Sequence, residues 1–202
     1  MRPRAIVAIV VPVVLVLVAT WLLWDKFYRE QPQPQSVTSD RDAAFLYGSI
    51  GNESSTGLPY WVAVVLPRVF GERYLPGPGG YAALVPWDEG KELPIGFSKK
   101  RVGVDRVGFN CGLCHTPGNG MRQTNIKGLA EFFTNSASDA RFNADTILTE
   151  IDLAYRLSLV DRVLYQSILI PASRERLVAL GRQLMSPHAS GGWARSTPAQ
   201  PR

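Results

Sequence analysis

The residues of this chain best suited to chemistry are crowded into one stretch, FNCGLCHTPG, residues 109–118. It holds both cysteines of the sequence, Cys111 and Cys114, and one of its two histidines, His115. A C-x-x-C pair is compatible with a redox dithiol, part of a zinc site, a structural disulfide or a haem attachment site. Structural zinc needs four N or S ligands. Here they would be Cys111, Cys114, His115 and the distant His188, with three of the four nearly contiguous and poorly placed for a tetrahedron. A thioredoxin-like dithiol sits at the start of a helix in a βαβ setting, and before Cys111 only the short RVGVDRVGF could supply a strand. A disulfide closing so short a loop removes little chain entropy. None of these three gives His115 a task.

Haem c uses all three residues. On one helical turn, positions i and i+3 project the two sulfurs along one face, where they can form thioethers with the two vinyl groups of the macrocycle. His115, at i+4, shares that face as proximal ligand to the haem iron. C-x-x-C-H is also the attachment signature itself, and no thiol is left over. An iron-bound histidine usually donates its other ring N–H to a carbonyl or carboxylate, and a carbonyl of Thr116-Pro117-Gly118 is the nearest candidate. No catalytic residue is assigned, and the distal ligand is left unassigned. Met121 lies six residues past His115, a span of at most ~20 Å, and would have to round the macrocycle edge. His188 lies in SPHASGG, where ordering costs entropy. Met185 is spaced from Val178 as a core-filling methionine would be. A weak ligand from Met185, or none, is therefore expected.

These residues need elements to hold them. The first apolar run, Ala5 to Trp24, carries no charge and matches the ~20 residues of a membrane-crossing helix. Pro12 is tolerated in such a helix, and Trp21 and Trp24 fall where an aromatic belt is expected. Arg2 and Arg4 precede the run while Asp25, Lys26, Arg29 and Glu30 follow it, so the positive-inside rule keeps the N-terminus in the cytoplasm. The expectation is a single-pass protein of the cytoplasmic (inner) membrane whose haem domain faces the periplasm. The domains expected are an anchor over 1–29, a Pro/Gln linker over 30–40, a haem-binding domain over 41–185 and a disordered tail over 186–202.

Helical periodicity is concentrated after the cysteines. GLAEFFTNSASD, ADTILTEIDLAYRL and LVDRVLYQSILI space apolar residues by three and four, and Pro171 starts a further helix in a first-turn position. LPYWVAVVLPRVF fits a short buried helix, and YLPGPGGYAALVPWDEGKELPIGFSKK fits a long ordered loop. The fold class expected is mainly α: a cytochrome c-like haem domain with long Gly/Pro-rich loops behind a single transmembrane helix. The net charge of +5 is partly local to SKKR, Ser98 to Arg101, which fits a solvated surface, partner docking or pairing with an anionic cofactor. No nucleic-acid recognition motif is present. Asn52-Glu53-Ser54 matches the glycosylation tripeptide only by its short pattern.

CGLCHT resembles the haem site of bacterial c-type cytochromes. Over a longer reach, YGSIGNE, GLPYWVAVVLPRVF, YLPGPGGYAALV, ELPIGFSKK and VGFNCGLCHT together resemble the N-terminal part of large di-haem cytochromes related to bacterial cytochrome c peroxidases and rubber oxygenase, covering about Ala44 to Leu184. Such relatives carry a second C-x-x-C-H, and this sequence has none. The resemblance therefore carries over only Cys111, Cys114 and His115, and leaves enzymatic activity unassigned. The function expected is a membrane-anchored c-type cytochrome with one covalent haem, passing electrons to a redox partner protein in the periplasm. The alternatives are a truncated member of the di-haem peroxidase/oxygenase-like family and, more distantly, a thiol-disulfide oxidoreductase.

Overall fold

The computed structural model of the chain describes residues 3–115 and 123–186. Helix predominates. The elements before the cysteines are α1 (Pro3–Phe27), α2 (Gln35–Thr38), α3 (Arg41–Tyr47), β1 (Leu58–Pro59), α4 (Tyr60–Tyr74), a 3₁₀ turn (Gly80–Ala83), β2 (Phe97–Val102) and β3 (Val104–Phe109). The cysteines open α5 (Cys111–His115), followed by α6 (Gln123–Ser138), α7 (Ala144–Ala154), α8 (Leu159–Leu164), a π-helical turn (Tyr165–Leu169) and α9 (Ile170–Met185).

The expected fold class needs two corrections. Among the described residues, no helix is long and apolar enough to cross a membrane. The single transmembrane helix over Ala5 to Trp24 is overturned, and with it the single-pass placement in the inner membrane with a haem domain facing the periplasm. The second correction is a sheet. RVGVDRVGF belongs to a three-stranded antiparallel sheet in the order β1-β3-β2. Its hairpin pairs Phe97 with Phe109 and closes on Gly103 at φ +71°, where glycine carries no Cβ penalty.

Helices cover this sheet and bury one core. In α4, Val62, Val65, Leu66 and Phe70 are fully enclosed, and the helix runs unbroken past Pro67. From α6, Phe132 and Phe133 meet Tyr81 and Phe109 in a chain of ring contacts that continues to Phe97, edge-on to Phe109 at 4.9 Å, with Leu129 buried beside them in the core. Each such side chain contributes on the order of 1.5–3 kcal/mol by leaving water. Helices α6 and α9 approach closely at Gly181, where a Cβ would meet the Ala130 carbonyl at 2.9 Å. Arg174 of α9 ties them further by donating to the carbonyls of Ala137 and Phe142.

The basic run of β2 is satisfied within the fold. Lys99 pairs with Glu92, Lys100 with Glu30, and Arg101 lies 4.0 Å from Asp105. The Pro/Gln segment lies against the same strand. Gln33 donates to the Lys99 carbonyl at 2.8 Å and accepts from the Ser49 N–H at 2.6 Å, while Glu30 bridges to Val102.

Candidate functional site

Helix α5 is one turn and a residue long, too short to be stable alone. It is held from outside. Asn110 precedes it and caps it: its Oδ1 accepts from the Gly112 N–H at 2.9 Å, the bond of an N-cap. The Asn110 Nδ2 donates to the Gly48 carbonyl at 3.0 Å, and its backbone N–H donates to the Gly96 carbonyl at 2.9 Å. Gly96 in turn donates to the Leu46 carbonyl at the end of α3. The side chain of Asn110 is buried, so both of its bonds form away from competing water.

Two glycines let the turn sit this deep. A Cβ on Gly112 would lie 2.9 Å from the Phe45 carbonyl oxygen and 3.1 Å from the Leu46 Cα. A Cβ on Gly96 would overlap the backbone of Leu113, and Gly96 also has φ +85°. Gly112 and Leu113 thus form the inward side of α5. The remaining positions are forced outward: Cys111 is exposed, Cys114 is half-buried against the core, and His115 is exposed at the end of the turn.

A second layer supports β3 as it enters the turn. Asn52 Nδ2 donates to the Phe109 carbonyl at 2.7 Å. Its Oδ1 is buried without a hydrogen-bond partner among the described residues. The side chain committed to Phe109 belongs to the glycosylation tripeptide, so the tripeptide is a structural feature. Glu53, fully buried, accepts hydrogen bonds from Ser49 Oγ at 2.6 Å and from Ser98 Oγ. Segments far apart in sequence, YGSIGNE, ELPIGFSKK and VGFNCGLCHT, therefore converge into one cradle for α5.

Both cysteines are free thiols. The Cys114 thiol is pushed above the usual range, first by burial and then by a thiolate at Cys111. A dithiol redox centre relies on a depressed thiol pKa, and the strand before α5 belongs to an antiparallel hairpin rather than a βαβ unit. Among the described residues, no group of three or more His, Cys, Asp or Glu side chains is placed to hold a metal ion. The donor set fits haem c, in which the sulfurs bond to carbon and one imidazole meets the iron. The second-turn acceptor candidates Thr116, Pro117 and Gly118, and the distal candidates Met121 and His188, lie outside the described residues. Met185 ends α9 with 53% of its surface exposed.

The sequence reading missed Asn110, Gly96, Asn52 and Glu53. Asn110 had a local signal, since asparagine directly before a helical turn is a preferred N-cap. The other three act through contacts distant in sequence. Compared with family models, curated proteins and solved structures, the chain matches none.

Proposed function

We propose that this chain is a c-type cytochrome in the chemical sense, a one-haem electron carrier with Cys111 and Cys114 as attachment residues and His115 as proximal iron ligand. The observation that carries the reading is α5, a capped, inwardly packed turn presenting two free thiols and an imidazole at i, i+3 and i+4. Cys111 and Cys114 would each hold the haem through a thioether, formed by adding S–H across a vinyl double bond, which would need no oxidant and expel no leaving group. The raised Cys114 pKa disfavours disulfide exchange. Bound haem supplies the one-electron iron couple, whose potential the axial ligand and burial would tune. The chain's own contribution is to fix the spacing of the three side chains and to exclude water from the inner side of the turn.

The test is expression with cytochrome c maturation machinery, followed by denaturing electrophoresis and a haem-peroxidase stain. A stained band at 22.3 kDa is expected, and Cys111→Ala with Cys114→Ala should abolish it. An unstained wild-type band would end the haem reading.

A further inference from the structure

Beside β1 and β3, the fold carries a cleft of about 390 Å³ between the sheet, the residues after α1 and the start of α9, within the usual range for small-molecule sites of ~300–1,000 Å³. Two guanidinium groups face it. Arg106 sits on β3 opposite Pro59 and is only 7% exposed. Its Nε donates to the Val102 carbonyl at 3.2 Å, and it has no carboxylate partner among the described residues. Arg176, on α9, donates through Nη1 to the Gly57 carbonyl at 2.6 Å and likewise has no carboxylate partner there. Glu30 is the one acid on the cleft wall, and Lys100 already neutralises it. The site therefore holds two buried or half-buried cations without an anion, an arrangement that costs desolvation energy until one arrives. Burial and then the charge of Arg176 lower the Arg106 pKa to about 10.

The rest of the wall is apolar. Pro59, Ile168 and Leu169 line it, the last two presented by the π-helical turn between α8 and α9. That turn has a local cause: Pro171 lacks an N–H, and its ring crowds the carbonyl of Ser167, so the helix widens just before it. Planar guanidinium forks match carboxylate oxygens pairwise. We propose that this cleft binds a small amphipathic carboxylate, its head group between Arg106 and Arg176 and its hydrocarbon part against Pro59, Ile168 and Leu169.

The test is thermal unfolding of the full chain with octanoate, octan-1-ol or inorganic phosphate at equal concentration. Octanoate near ten times its dissociation constant should raise Tm by about 3 °C, with little change from the other two. Arg106→Gln should remove the response. Ala172→Glu keeps the proposal falsifiable if that variant misfolds. It places a carboxylate on the exposed cleft edge one turn before Arg176, a favourable helical pair, and should abolish the octanoate shift in a stable protein. Equal stabilisation by octan-1-ol, equal stabilisation by phosphate, or a shift surviving in Ala172→Glu would each overturn the assignment.

Discussion

Replacing Asn110 by alanine removes two buried hydrogen bonds with different roles, and their costs can be worked out separately. Loss of the cap to the Gly112 N–H at 2.9 Å costs about 0.5–2 kcal/mol. Loss of the donor to the Gly48 carbonyl at 3.0 Å strands an acceptor in the interior, at about 1–3 kcal/mol. Asn110→Ala should therefore destabilise the chain by about 1.5–5 kcal/mol, a large share of the ~5–15 kcal/mol available to a domain. Asn110→Ser retains a capping oxygen but is too short to reach Gly48, so it should recover about 1 kcal/mol of that loss. Urea unfolding followed by tryptophan fluorescence measures both. Haem incorporation, read as stained protein per total protein, should fall in the same order. If Asn110→Ala stays within ~0.5 kcal/mol of wild type, or if the serine and alanine variants coincide, the cap does not hold α5 as described.

Further outcomes follow from single contacts. Gly96→Ala forces a Cβ into the Leu113 backbone at φ +85° and should cost at least ~2 kcal/mol in urea unfolding, whereas Gly90→Ala, at φ +74° in open space, should cost only the ~1–2 kcal/mol of left-handed strain; equal losses would refute the contact. Asp139 accepts from the Arg141 side chain and N–H and from the Tyr74 hydroxyl, and these bonds hold its carboxyl well below the ordinary carboxylate pKa. A depressed folded pKa gives stability that is complete above the unfolded value of ~3.9 and is lost as pH falls below it. Acid titration of wild type against Asp139→Asn should show the variant less stable at neutral pH, with the gap narrowing below about pH 4; a pH-independent gap refutes the linkage. Met185→Ala, at an exposed helix end, should leave the ferric spectrum and ready carbon monoxide binding of the haem-loaded protein unchanged; conversion from low to high spin would make Met185 the distal ligand.

How far the sequence revealed this protein depended on whether a signal was local. Helices α6, α7 and α9 were legible because each alternates a buried stripe with solvent at helical spacing, as with Leu129, Phe132 and Phe133 in α6. The turn bearing Cys111, Cys114 and His115 stood out by its C-x-x-C-H spacing rather than by any buried stripe. The β2–β3 hairpin was not, because SKKR places charges on consecutive strand positions and hides the period of two. Those charges make sense only beside Glu92, Glu30 and Asp105. The apolar run of α1 illustrates the reverse failure: composition alone suggested a membrane span, yet no helix among the described residues is long and apolar enough to cross a membrane.

The cradle was illegible for a reason that also makes it testable. Asn110 meets Gly48 across 62 residues of chain, and Asn52 meets Phe109 across 57, so no window of sequence contains both partners. Among the described residues, the hydrogen bonds that seat α5 run through Asn110, Asn52, Gly96 and the backbone of Gly112, not through the thiols. Position and reactivity are therefore carried by different groups. Removing the thiols should abolish attachment while leaving most of the cradle in place, whereas removing the Asn110 side chain should loosen the turn while leaving both thiols intact. A defect in attachment caused by Asn110→Ala would then be a defect of geometry alone, because every atom proposed to bond to the haem would still be present.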